Sequence, residues 1–142
     1  MPLPETRLCA NPPTFSSAQF RTALGMFATG VTIVTARTQE GQLVGLTANS
    51  FNSVSLDPPL VLWSLSRAAA SLPAFRAGSH YAINVLGADQ QALALRFASK
   101  GVNRFADVDF VDGAGGAPIL AGADATFEYF NRSRYDEGDH VI

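Results

Sequence analysis

Gly45-Leu-Thr-Ala-Asn-Ser-Phe-Asn-Ser-Val-Ser-Leu-Asp-Pro-Pro-Leu-Val-Leu-Trp-Ser-Leu-Ser66 contains two apolar-rich runs, split by Leu56-Asp57-Pro58-Pro59. Proline offers no backbone N–H and pushes the residue before it into an extended geometry, so Asp57-Pro58-Pro59 ends one strand and starts another. The first run carries Thr47, Asn49, Ser50, Asn52, Ser53 and Ser55. Short hydroxyl and amide side chains, Thr apart, are mediocre strand formers, so this segment conflicts with its own propensity. Such local conflicts concentrate at functional sites. Hydroxyls, amides and freed backbone groups suit a ligand with many hydrogen-bonding atoms and a phosphate. The same composition also describes a hydroxyl-rich edge strand facing water.

Working outward, Phe15-Ser16-Ser17 reads as a helix start, a hydroxyl N-cap preceded by a hydrophobic residue. Phe20, Ala23, Leu24 and Phe27 then recur at helical spacing, and Gly30 stands where a terminating glycine belongs. Phe20 and Phe27 are read as core or dimer packing. Residues 31–38 read as a β-branched strand, and residues 39–42 as a hairpin-type turn into 43–46. Downstream, Ser71 is expected to cap a short helix with Leu72, Ala74 and Phe75 on its apolar side. Residues 81–86 form the next strand. Asp89 is expected to cap a helix over 90–99 with Leu93 and Phe97 inward. Residues 100–107 make a polar loop, 113–116 a flexible glycine turn, 125–131 a strand, 133–138 a turn, and 139–142 the start of one more strand. Gly113-Ala114-Gly115-Gly116 lacks the lysine and spacing of a phosphate loop.

About six strands with turn signals, two or three flanking helices and no regular βαβ alternation make the chain mainly β, a small barrel rather than a doubly wound sheet. At 142 residues, 47% apolar and 15% charged, it is one domain with a real core. A net charge of −2 with scattered arginines argues against nucleic-acid binding. Cys9 stands alone, so no disulfide or thiol pair forms, which fits a cytoplasmic setting. No apolar run approaches the roughly 18 residues that cross a bilayer. Residues 1–14 read as a flexible leader and 15–142 as the folded domain. Two histidines without clustered Cys or carboxylates make no metal site, and no serine sits in a nucleophile elbow. Demanding chemistry would then come from a bound cofactor.

Thr47-Ala48-Asn49-Ser50-Phe51, Ser53-Val54-Ser55 and Pro58-Pro59-Leu60-Val61 resemble the signature of the short flavin reductases that serve two-component monooxygenases. Three other segments fit in the same order: residues 27–35, then Phe97-Ala98 to Arg104-Phe105, then Gly138-Asp139-His140. The resemblance spans Phe20 to Ile142. It implies a flavin-binding split β-barrel and a homodimer with flavin sites near the subunit interface. It also implies a hydride passing from NADH or NADPH to FMN or FAD, and reduced flavin delivered to a monooxygenase component. In that family the chain continues past the Gly-Asp-His motif, so the domain here is expected to be incomplete at its C-terminus.

By the same resemblance, Thr47, Ala48, Asn49 and Ser50 line the flavin, and Ser53 and Ser55 continue that wall. Ser66 and Arg67 are placed on the phosphate side. Arg104 is a further phosphate candidate, since a guanidinium fork matches phosphate geometry; Lys100 is a weaker one. His140 corresponds to the histidine beside the nicotinamide. His80 is read as structural and Trp63 as a strand-core tryptophan. Two other readings stay open: a reductase of the same fold acting on a corrin or another acceptor, and a non-catalytic module binding flavin or haem.

Overall fold

The computed structural model describes residues 13–142; Cys9 and most of the expected leader lie outside them. The described chain is mainly β with a few helices. Helix α1 (Ser17–Gly25) precedes strands β1 (Thr32–Arg37), β2 (Leu43–Ala48), β3 (Asn52–Leu56), β4 (Pro59–Leu62) and β5 (Leu65–Ser66). Helix α2 (Leu72–Ala77), β6 (His80–Val85), a 3-10 turn (Ala88–Gln90) and α3 (Gln91–Ala98) follow. Strands β7 (Phe110–Asp112), β8 (Pro118–Leu120), β9 (Ala125–Phe130), β10 (Asp136–Glu137) and β11 (His140–Val141) complete the order.

The main sheet has the antiparallel order β2-β1-β6-β9. Its central strand β1 is buried from Thr32 to Ala36 because both of its faces are covered. Val34 and Ala36 join Ala48, Leu65, Phe75, Tyr81 and Ile83 in one cluster. Ile33, on the opposite face as the period-two alternation requires, joins Phe97 and Leu120 in a second. Helix α3 covers that second face. Gly45 of β2 permits the close approach: a Cβ there would lie 2.9 Å from the Phe97 ring and 3.2 Å from Phe105. The fully buried Asn84 amide ties β8 to the sheet. It donates to the Ile33 carbonyl at 3.0 Å and accepts from the Leu120 N–H at 3.0 Å.

The β3–β4 hairpin turns at Leu56-Asp57-Pro58-Pro59, with a register shift between Ser53 and Ser55. A third sheet, β10-β11-β5, brings residues 136–141 back against Leu65 and Ser66.

Several expectations change. Helix α1 starts as read, with Ser16 and Gln19 exchanging side-chain and backbone hydrogen bonds. It ends at Gly25 with Met26 as C-cap, well before Gly30, and β1 starts at Thr32, with the Val31 carbonyl accepting from the Leu86 N–H just past β6. Its apolar residues are not core within this chain: Phe20, Leu24 and Phe27 are 53%, 58% and 78% exposed. Ser71 makes no side-chain cap bond to α2. Asp89 lies in the 3-10 turn, and α3 starts after Gln90. Trp63 lies between β4 and β5, still packed into the core edge-on to Phe75 at 5.2 Å. The 113–116 glycine turn joins two short strands in a β7–β8 hairpin that the sequence does not signal.

Candidate functional site

Strand β2 delivers Thr47 and Ala48 at its end, held in register by Ile33 and Thr32 of β1. The Thr47 hydroxyl donates to the Ala94 carbonyl at 2.6 Å, tying β2 to α3. Ala48 is buried, and its carbonyl accepts from the Thr32 hydroxyl at 2.8 Å. These two residues therefore anchor the segment rather than present side-chain groups to solvent.

The chain leaves the sheet at Asn49. Ser50 makes a two-way bridge: its hydroxyl accepts from the Ser64 N–H at 2.9 Å and donates to the Ser64 carbonyl at 3.2 Å. Asn49, Asn52 and Ser53 are exposed and Ser55 half-buried, and none of these side chains has a hydrogen-bond partner among the described residues. A run of unspent amides and hydroxyls thus lies directly beyond a pinned strand end. Its donor and acceptor set fits a polar ligand with many hydrogen-bonding atoms.

Two residues past Ser64, Ser66 of β5 pairs directly with His140 of β11. The Arg67 N–H donates to the Asp139 carbonyl at 2.9 Å, and its guanidinium donates to the Gly138 carbonyl at 3.2 Å. Gly138 takes a φ of 59°, the left-handed conformation glycine tolerates, so the β10–β11 turn reverses tightly. The half-exposed His140 ring meets Asp139, with Nδ1 2.7 Å from Oδ1. That hydrogen bond is the main influence holding the Asp139 carboxyl below the ordinary carboxylate range; the charges of His140 and Arg21 act in the same direction.

The structure therefore brings Ser66, Arg67 and His140 together, and links them to Ser50 through Ser64. Arg104 sits elsewhere. Its guanidinium donates to the Gly45 carbonyl at 2.7 Å and twice to the Ser99 carbonyl, at 3.1 and 2.9 Å. Three of its five N–H groups hold the 99–104 loop against β2. His80 is remote from this chemistry, contacting the Ser79 hydroxyl at 2.9 Å and packing edge-on to Phe130. Among the described residues no group of three His, Cys, Asp or Glu side chains is placed to hold a metal.

Sequence reasoning missed Ser64 and Asp139. Ser64 contributes only backbone groups, which no residue type advertises. Asp139 did carry a signal, since it sits between the turn glycine and the histidine. A separate cleft, bounded by Trp63, Phe75, Tyr81, Arg134 and Val141, contains none of the hydroxyl-rich residues. There Arg134 donates to the Phe75 and Gly78 carbonyls at the end of α2, a structural cap.

The chain is similar to several known proteins. The family model described as flavin reductase like domain matches residues 24–142. The FMN reductase (NADH) SmoA of Agrobacterium fabrum is 50% identical over 127 residues, covering 89% of this chain and 72% of SmoA. The flavin-dependent monooxygenase reductase subunit HsaB of Rhodococcus jostii is 39% identical over 124 residues, covering 87% of this chain and 63% of HsaB. The Streptomyces globisporus NADH:FAD oxidoreductase SgcE6, solved with NAD and FAD fragments, superposes with a TM-score of 0.82 at 42% identity. That match covers 87% of this chain and 74% of SgcE6. The chain spans from 40% to 72% of the length of the curated relatives it matches.

Proposed function

The chain belongs to the flavin reductase like domain family, and from that premise we propose that it is an NAD(P)H:flavin oxidoreductase. It takes a hydride from NADH or NADPH, passes it to FMN or FAD, and supplies the reduced flavin to a partner monooxygenase. The relatives' names support this directly, SmoA as an FMN reductase using NADH and HsaB as a monooxygenase reductase subunit. One structural observation carries the reading: the Ser50–Ser64 bridge joins the unspent 49–55 polar run to the β5–β11 ladder that holds His140. Two ligand-facing elements, one suited to a flavin and one to a nicotinamide, are thereby tied together.

A bound flavin supplies the hydride acceptor, chemistry that no side chain here provides. The chain's own contribution is placement. Asn49, Ser53 and Ser55 offer hydrogen bonds to the ring edge and ribityl chain, while Thr47, Ala48 and Ser50 fix the strand end that presents them. Ser66 and Arg67 lie where a phosphate would meet positive charge. Arg67 has spent one side-chain N–H and Arg104 three, and neither is in an ion pair among the described residues, so both retain charge for an anion. His140 positions the nicotinamide. No acid–base group is required beyond these, because stacked rings pass a hydride without a proton relay.

The active form in this reading is a homodimer of split barrels. The exposed Phe20, Leu24 and Phe27 on and just past α1 support it, being apolar residues left open to solvent in a single copy. No helix of the described residues is long and apolar enough to cross a membrane. We place the protein in the cytoplasm, where its reduced nicotinamide is available.

The test is NADH and NADPH consumption by the purified full chain with FMN or FAD in molar excess over the enzyme. Turnover that depends on added flavin, or on flavin retained through purification, supports the proposal. Nicotinamide consumption no faster than in a protein-free blank, for every pairing, rejects it.

A further inference from the structure

We propose that Asp139 is a positioning residue for His140: its carboxylate fixes the imidazole tautomer with the proton on Nδ1, leaving Nε2 as the acceptor for the nicotinamide carboxamide N–H. The first half stands on geometry alone, and the second rests on the reductase reading above.

The 2.7 Å contact between His140 Nδ1 and Asp139 Oδ1 contains one hydrogen. An ionised carboxylate has none to give, so Nδ1 supplies it. Asp139 is kept ionised chiefly by that same contact. A neutral imidazole carries a single N–H; with Nδ1 protonated, Nε2 holds a lone pair. Nε2 has no partner among the described residues. The backbone around the pair is held on both sides. Arg67 grips the Gly138 and Asp139 carbonyls, and Ser66 faces His140 across the ladder. Acidic and basic groups on the packed elements are Glu137, whose strand position is paired with His140, Asp136, bound to Arg76 at 2.7 Å, and Arg67.

The ligand chemistry follows. A nicotinamide carboxamide presents two N–H donors beside the ring carbon that gives the hydride. An Nε2 acceptor can take one and set the ring's rotation about the carboxamide axis. A methyl ketone in the same place offers no donor and leaves Nε2 unmatched. A site built around a hydrogen bond discriminates against an analogue that lacks the matching group. Asp139 would thereby contribute to selectivity for nicotinamide over its acetylpyridine analogue, acting through His140.

Two measurements on the full chain decide this. Long-range 15N–1H correlation spectra of histidine-labelled protein at mildly alkaline pH report the tautomer directly, with His80→Gln assigning the two rings. The expected result is the Nδ1–H form at His140 in the parent protein, shifting toward the Nε2–H form in Asp139→Asn. Steady-state kinetics then compare NADH with the reduced 3-acetylpyridine dinucleotide. Asp139→Asn should lose preference for NADH by about threefold to tenfold, the range for one hydrogen bond. Asp139→Glu should retain part of it, and flavin Kd should be unaltered in both. An Nε2–H tautomer in the parent, or a spectrum unmoved by Asp139→Asn, overturns the positioning role. A moved spectrum with an unchanged analogue ratio overturns the carboxamide assignment. If the parent oxidises no nicotinamide at all, the reductase reading has failed, and the spectra still judge the Asp139–His140 pair.

Discussion

Ser50 and Ser64 are locked together by one hydroxyl, which accepts from the Ser64 N–H at 2.9 Å and donates to the Ser64 carbonyl at 3.2 Å. A side chain that satisfies both main-chain groups of one residue substitutes for a pair of strand hydrogen bonds. It does so at the point where β2 has ended and β5 has not begun. Together with the β3–β4 pairing, it holds the polar run beyond β2 against the segment that enters the ladder bearing His140.

Ser50→Ala should therefore cost about 1–3 kcal/mol, because both Ser64 groups lose their partner in a half-buried setting. Flavin Kd and nicotinamide KM should rise together, since both binding elements loosen. Denaturant unfolding and flavin titration on the same variant check this. A stable variant with parent-like Kd would show that the bridge is incidental.

The β-branched strand β1, the residue 39–42 turn, the β2 strand and the Asp57-Pro58-Pro59 break could all be read from residue types alone. Each is set by local chemistry: β-branching, a turn glycine, missing proline donors. The Gly138-Asp139-His140 motif was legible too, but its neighbours were not. Ser66 and Arg67 lie over seventy residues upstream in the chain, and only the β5–β11 pairing puts Ser66 opposite His140. The β7–β8 hairpin has no such signature, because three-residue strands carry too little periodicity. Phe27 continues the helical spacing of α1, yet the Met26 and Phe27 N–H groups donate to the Ala23 and Leu24 carbonyls, tightened bonds that close the helix after Gly25. Arg104 illustrates a different limit. Its fork suggests phosphate by type, yet the backbone carbonyls of Ser99 and Gly45 take three of its donors.

His140→Ala should raise KM for the nicotinamide or slow flavin reduction by about tenfold or more, because hydride transfer depends on near-attack placement. Flavin Kd should stay within a few fold. Steady-state kinetics paired with flavin titration provide the check. Equal losses in both, tracking a lower Tm, would assign His140 to structure instead.

Phe20→Asp combined with Leu24→Asp should leave the fold of a single copy intact, because both side chains are more than half exposed within it. In the dimer reading these charges fall in an apolar interface, where burying an unpaired carboxylate costs several kcal/mol. Sedimentation analysis should show dimer for the parent and monomer for the variant. A parent that sediments as a monomer at micromolar concentration would contradict the homodimer.

Tyr129 offers a pH test. Its hydroxyl is buried with no hydrogen-bond partner among the described residues, although the Trp63 indole lies close by. Burial is the largest influence and pushes the phenol far above its ordinary value. A raised folded-state pKa means the native protein keeps a proton that the unfolded chain sheds, so stability falls as pH rises past about 10. Tyr129→Phe should remove that alkaline loss. It should also stabilise the protein at neutral pH by up to about 1 kcal/mol, since the orphaned hydroxyl is gone. Urea unfolding at neutral and alkaline pH checks both. A variant less stable than the parent by more than about 1 kcal/mol would mean that the hydroxyl has a partner worth keeping.

The most direct measurement of the central claim is an anaerobic mixing experiment that follows the visible absorbance of the flavin itself. With catalytic amounts of the full chain, one equivalent of NADH or NADPH should bleach one equivalent of FMN or FAD, and admitting oxygen should restore the colour. Hydride transfer is the step observed, so deuterium at the transferred position of the nicotinamide should slow the bleaching. Bleaching no faster than in the protein-free control, for both flavins and both nicotinamides, would contradict the account.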